Sequence, residues 1–496
     1  MQSSFPKQVI LFIAAASIGM SSLMAQTFSV LHSFDGTSGG RSPQAGLVAS
    51  GNILYGAADS GGAGRRGTFF KLNMDGTGFA TLHHFAPLLN ETNSDGAYPD
   101  STPVLSGNTI FGTAYDGGIY GHGTVFKMNT TGSDFSVLHH FKPIVPNGSG
   151  ASTNAEGANP ESGLVVADNF VYGTTENGGT SGLGAVFRVG ANGNGFTNLH
   201  SFTAAEGDTP EPLVMAGNKL YGTAAGLKSG SGSVFRLNTD GTGFTILHTF
   251  VATNYAPPLE GPGFEPAYTN VDGVLPASLL VSGSTIYGTT YWGGANGNGT
   301  VYRMQLDGSG FSVLHHFGAT RANLSGVFTN SGGAHPIQFS GLTLWGKTLF
   351  GTTFMGGKSG NGTVFALLTN GTGFTIVHDF SATSGPSSIN SDGATPYSGL
   401  MISNDTIFGT ARSGGASGSG TVFSIAIVPR LSITQAGESV ILTWPQNAIG
   451  FTLESTTNLN PPVTWSTVTP APVVVNGFNT VINPASAAER FYRLSQ

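Results

Sequence analysis

An aromatic residue followed by glycine closes a short apolar run seven times in this chain: Tyr55-Gly56, Phe111-Gly112, Tyr172-Gly173, Tyr221-Gly222, Tyr287-Gly288, Phe350-Gly351 and Phe408-Gly409. Successive aromatics stand 56, 61, 49, 66, 63 and 58 residues apart, too long for helical solenoid units and near the kelch and WD40 propeller range. Seven copies of one unit belong to a single closed or stacked array rather than to seven separate cores. Glycine reaches 76 of 496 residues while charged residues make up only 9%. The glycines recur at fixed places between alternating apolar runs, which is turn chemistry rather than low complexity.

The second copy displays the unit: Val104-Leu105, a Gly107-Asn108 turn, Thr109–Thr113, a loop over 114–123, Thr124–Met128, a turn over 129–134, and Phe135–Phe141. These read as four strands. Gly-Asn between apolar runs favours a tight hairpin because both residues tolerate positive φ, and it recurs at Gly51-Asn52 and Gly217-Asn218. Strands three and four are joined by Asp-Gly-Thr-Gly at Asp75 and Asp240 and Asp-Gly-Ser-Gly at Asp307. A meander of four short antiparallel strands is a propeller blade.

The two ends of the array predict how it closes. Phe28–Phe34 is a fourth strand with no preceding three, and the last unit stops after Thr421–Ile425 without a fourth. Pairing these fragments removes both open sheet edges. The expected fold is all-β: a seven-bladed β-propeller over 26–428 closed by the N-terminal strand, followed over 429–496 by a small immunoglobulin-like or fibronectin-like β-sandwich. Strands are expected there at Leu431–Thr434, Ser439–Trp444, Phe451–Ser455, Trp465–Val468, Val473–Val475, Asn479–Ile482 and Phe491–Leu494, around a core of Trp444 and Trp465.

Five short motifs recur in one order: Leu-Tyr-Gly-Thr, Gly-Gly, Gly-Thr-Val-Phe-Lys, Asp-Gly-Thr-Gly-Phe and Leu-His-His-Phe. Over residues 28–427 the chain resembles the bacterial "choice-of-anchor tandem repeat GloVer-containing" family on these motifs. The resemblance implies a secreted or surface-held propeller with a variable C-terminal sorting segment. This chain departs from the pattern in having no sorting helix with a basic tail after the last unit.

The net charge of -7 with only 19 Lys+Arg leaves no basic stripe for a phosphate backbone, which excludes nucleic acid as an expected partner. Without cysteine there are no disulfides, thiolate metal sites or lipidated N-terminal Cys. Residues 1–25 read as a secretory leader: Lys7, an apolar centre from Val9 to Met20, and a small-residue exit from Ser21 to Ala25. That centre is shorter than the ~20 residues of a bilayer span. The expected product is a monomer with no membrane span, located outside the cell, in a periplasm or at the cell surface.

Repetition and variation separate scaffold from site. The first His of the fourth strand occurs in every copy, at His32, His83, His139, His200, His248, His315 and His378. A catalytic group is needed once, so sevenfold use points to a buried structural hydrogen bond. An acid recurs in Asp/Glu-Gly-x-x-Pro at Asp95, Glu156, Asp272 and Asp392, with Glu206 in a variant ending at Pro210. Turn capping is the favoured reading, with a calcium ring as its alternative. Met355-Gly-Gly-Lys-Ser359 lacks the first glycine of a phosphate loop, since Thr352 stands there, and strands flank it.

The copies diverge in the loops between strands two and three and in the long connections over 142–155, 251–271 and 318–331, which a blade places on one rim. The candidate ligand-binding residues are Arg65, Arg66, Tyr115, Asp116, Tyr120, His122, Glu176, Tyr291, Trp292 and Phe354. Aromatics beside amides and carboxylates suit sugar stacking and hydroxyl recognition. The expected function is noncatalytic binding of a glycan or surface protein, with no cofactor, no metal ligand and no catalytic residue assigned. An extracellular polysaccharide lyase or glycoside hydrolase, for which Asp116, His122 and Glu176 are the only convergent candidates, and a structural surface-layer protein are the alternatives.

Overall fold

The computed structural model describes residues 28–148, 150–228, 230, 232–256, 267–336, 341–427, 431–446, 448–476, 478–485 and 489–495. The expected leader lies outside the described residues. These form an all-β, propeller-like protein without a helix, and none is therefore long and apolar enough to cross a membrane.

The described residues between 28 and 427 make seven antiparallel sheets of four or five strands. The second sheet carries Val104–Ser106, Thr109–Ala114, Thr124–Asn129 and Ser136–His140, each within a residue or so of the expected bounds. Two sheets hold a fifth short strand, Ala334–Pro336 and Ala394–Pro396, against the outer half of strand two. The seventh sheet is completed by Phe28–Ser33 against Thr421–Ala426, in a register running from Phe28↔Ile425 to Ser33↔Thr421. The three long connections contain hairpins that the sequence reading left as loop: Val145–Pro146 with Ser152–Thr153, Asn254–Ala256 with Ala267–Thr269, and Arg321–Ala322 with Phe328–Thr329.

The aromatic-Gly pairs have a packing cause. Each glycine on strand two faces an aromatic on strand three: Gly56↔Phe70, Gly112↔Phe126, Gly173↔Phe187, Gly222↔Phe235, Gly288↔Tyr302, Gly351↔Phe365 and Gly409↔Phe423. The ring lies across the bare backbone. A Cβ on Gly222 would stand 2.6 Å from Phe235 Cζ, closer than any side chain tolerates. Each aromatic of the pair instead turns to the other face, so that Tyr55 packs with Phe69, Phe126 and Met128 between the first two sheets. Similar buried clusters join every consecutive pair, and one joins the seventh sheet to the first through Phe408, Val422, Leu54 and Phe70.

The fourth-strand histidines do the structural work expected of them. Each stacks on the phenylalanine that opens the next copy's fourth strand, from His32 on Phe79 at 3.7 Å to His378 on Phe28 at 3.8 Å. The recurring acid caps nearby N–H groups, as expected, and it also accepts a hydrogen bond from the imidazole of the fourth strand. The pairs are His83–Asp95 (2.9 Å), His139–Glu156 (3.2 Å), His200–Glu206 (3.2 Å), His248–Asp272 (3.1 Å) and His378–Asp392 (3.0 Å). Four of these carboxylates also accept backbone N–H groups just past the strand, at Ala86, Thr203, Val251 and Ser381, while Glu156 accepts from Lys142 Nζ instead. The Asp-Gly turns behave as expected, with Asp75 Oδ1 accepting both the N–H and the hydroxyl of Thr77.

Beyond residue 430 the strands are Ser432–Ala436, Ser439–Pro445, Thr452–Thr456, Ser466–Thr467, Val473–Val475, Phe478–Pro484 and Phe491–Ser495. They form a four-stranded and a three-stranded antiparallel sheet. Trp444 is buried with Leu442, Leu453 and Val481. Trp465 departs from expectation: it is half-buried, with the Arg493 guanidinium 4.3 Å over its ring, because its strand starts only at Ser466 on an edge. Phe451 meets Trp345 of the sixth sheet at 5.5 Å, seating this unit against the array.

Candidate ligand-binding site

One cavity of about 190 Å³ is lined by residues from all seven copies, among them Gln44, Asp100, Glu161, Pro212, Ser278, Leu342 and Leu400. Above it the chain makes the same contact seven times. The residue before the proline of each Asp/Glu-Gly-x-x-Pro segment or its equivalent has positive φ: Ser42, Tyr98, Asn159, Thr209, Leu275, His335 and Thr395, between 52° and 61°. This backbone is costly for non-glycine residues. It is held by hydrogen bonds on both sides, as where Tyr98 N–H donates to Arg66 of the previous copy and Tyr115 N–H donates back to the Tyr98 carbonyl. The segment thereby ties the tip of one copy's strand two to the preceding copy's loop. Residues of two neighbouring loops and the pre-proline residue come together at each station.

Several expected site residues meet there. Tyr115 donates its hydroxyl hydrogen bond to Glu176 Oε2 at 2.6 Å, across two copies. Asp116 Oδ1 accepts from Asn159 Nδ2 at 3.0 Å and feels His122 and Arg66, although burial still raises its pKa. Arg66 bonds the Tyr98 hydroxyl and lies 5.4 Å over that ring. Tyr291 and Trp292, both half-buried, pack with buried His335, each at 5.0 Å. The His335 ring donates from Nδ1 to the Tyr291 carbonyl at 3.2 Å, and burial lowers its pKa. Phe354 meets Tyr397 edge-on at 5.8 Å, with Arg412 5.3 Å over the same tyrosine. Arg65 and Tyr120 are the exceptions: both are exposed on the loop tips, outside this cluster.

Sequence reasoning missed the inner ring. The residue after each proline changes from copy to copy, as Gln44, Asp100, Glu161, Glu211, Ala277 and Tyr397, with the sixth copy's Ile337 outside the described residues; of these, Gln44, Asp100 and Glu161 line the cavity. Glu211 is fully buried. Asp59 is held by Gln44, Ser60 and the Arg412 charge, yet burial raises its pKa. Burial raises the tyrosine pKa of Tyr115, aided by its bond to Glu176. Burial, with Glu161 adding, does the same at Tyr397. The signal that could have found this ring was its variation at a fixed distance from an invariant proline. The arrangement offers half-buried aromatic rings, carboxylates and two guanidinium groups, with the Glu161 charge acting on both Tyr115 and Tyr397, groups able to stack a ring and bond its polar substituents.

The family model described as Gloeobacter/Verrucomicrobia repeat matches residues 20–155, 147–275 and 267–433. No curated protein matches the chain. Among solved structures, oligogalacturonate lyase from Vibrio parahaemolyticus is similar at 10% identity, covering 78% of this chain and 90% of that one with a TM-score of 0.44. The computationally designed Ika8 protein aligns at 12% identity over 77% of this chain and 96% of its own, with a TM-score of 0.39. A chain of a nidogen/laminin complex aligns at 12% identity over 58% and 82%, with a TM-score of 0.33.

Proposed function

This chain belongs to the family of proteins built from the Gloeobacter/Verrucomicrobia repeat, and from that premise we propose a noncatalytic, secreted or surface-held seven-bladed propeller that binds a glycan at the mouth of its central cavity. The seven sheets are read as blades of one ring, supported by the pairing of Phe28–Ser33 with Thr421–Ala426 and by the cluster joining the seventh sheet to the first. The two C-terminal sheets are read as a small sandwich that spaces or attaches the ring.

The observation that carries the reading is a division of labour. Residues shared by all copies are consumed by the scaffold, whereas copy-specific aromatics and carboxylates meet one another in the diverging loops: Tyr115 with Glu176, Tyr291 and Trp292 with His335, and Phe354 with Tyr397. Stacking platforms beside hydrogen-bonding acids are what sugar rings require. A glycan array probed with the full-length protein tests it. Trp292→Ala and Tyr115→Ala should each weaken binding to a responsive glycan by about tenfold or more, the loss typical of a central aromatic anchor. Unchanged affinity in both variants would overturn the glycan reading.

A further inference from the structure

Below the mouth, Asp100 and Glu161 occupy equivalent places in neighbouring copies and line the same cavity. The Oδ1 of Asp100 is shut off from solvent and has no hydrogen-bond partner among the described residues. Among the described residues no donor or cation pairs with Glu161 either. The largest charges acting on the Asp100 carboxylate are those of Glu161 and Asp59, and the largest acting on Glu161 is that of Glu176, all of them negative. Burial and this repulsion push Asp100 well above the usual carboxylate range and Glu161 to about 8. Carboxylates left facing a cavity without compensation are costly, and such groups concentrate where a ligand supplies the missing charge.

The chemistry of that ligand can be narrowed. The guanidinium groups at the mouth are engaged elsewhere, Arg66 with Tyr98 and Arg412 with Tyr397 and Asp59, so they do not neutralise the throat. A calcium ion calls for six to eight oxygens, and among the described residues no three His, Asp or Glu side chains converge as a metal shell. A protonated amine needs less: one or two carboxylates as charge-assisted acceptors and an aromatic face nearby. Tyr115, bonded to Glu176, and Tyr397, within the field of Glu161 and Glu211, supply such rings beside the acids.

We propose that the throat between Asp100 and Glu161 receives the protonated primary amine of an amino sugar, so that the glycan bound at the mouth is a cationic one. This rests on the glycan reading above and narrows it to a substrate class.

Calorimetric titration of the full chain at pH 6 with glucosamine hexamer, N-acetylglucosamine hexamer and galacturonate hexamer decides it. Glucosamine hexamer should bind at least tenfold tighter than either of the others. The double variant Asp100→Asn, Glu161→Gln should lose that preference without a lower melting temperature, since the amides keep the shape of two acids that burial and mutual repulsion hold protonated in the free protein. Equal or tighter binding of the acetylated or acidic hexamer, still weakened by Trp292→Ala, would overturn the amine and leave the glycan reading standing. If hexalysine bound as tightly as glucosamine hexamer, or micromolar calcium displaced it, the sugar amine would be the wrong occupant. Failure of all three hexamers and of every glycan on the array would remove both proposals together.

Discussion

Gly222 shows how much one missing side chain can determine. With Phe235 stacked on Phe244 at 5.5 Å and set edge-on to Phe202 at 5.1 Å, the ring pressed against this glycine has nowhere to retreat. Gly222→Ala should therefore destabilise the protein by about 1–3 kcal/mol, the usual cost of overpacking a core, read as a lower midpoint in denaturant. The aromatic-Gly signature was legible from sequence because that collision occurs in all seven copies. Tyr98, Asp100, Glu161 and His335 were not, because they differ from their counterparts elsewhere and periodicity carries no information about depth within a ring. The acid at Glu156 and the histidine at His139 were each visible, but their hydrogen bond was not, since it joins a strand to the end of a connection whose course no local pattern specifies.

Strands and connections were read with better success than their decoration. The fourth strand is fastened by its histidine, and that of the fifth copy lacks the usual acid: Gly332 stands where five copies place it, as Gly39 does in the first, and burial, with His316 adding, holds His315 down at about 4. As pH falls below the ordinary histidine value of about 6.5, the unfolded chain takes up this proton first. His315 therefore subtracts stability progressively between about pH 6.5 and 4. Gly332→Asp restores the missing acid at a site where its Cβ would sit 3.6 Å from Phe374 and no positive φ is imposed. The variant should gain about 1 kcal/mol near neutral pH through the new hydrogen bond, raise the His315 pKa seen by NMR, and lose less stability on acidification. A pKa that stays near 4 with no gain in melting temperature would mean that the imidazole and the acid do not meet in this copy.

At the scale of the molecule, the array depends on a strand borrowed from its own beginning. A chain lacking residues 28–33 leaves the edge of Thr421–Ala426 open, and an open edge is a template for pairing between molecules. Such a chain should run as dimers and larger species in size-exclusion chromatography, whereas the intact chain should run as a monomer. A monodisperse, equally stable truncated monomer would remove the strand's role in closure. The two partners in that ladder are synthesised at opposite ends of the repeat region, so the earliest strand made must wait, unpaired, until the last sheet exists. Assembly order is thereby inverted relative to synthesis order, and during the wait the same vacancy is open to a neighbour's leading strand. Dilution, rather than sequence, then decides whether each molecule completes itself or completes another.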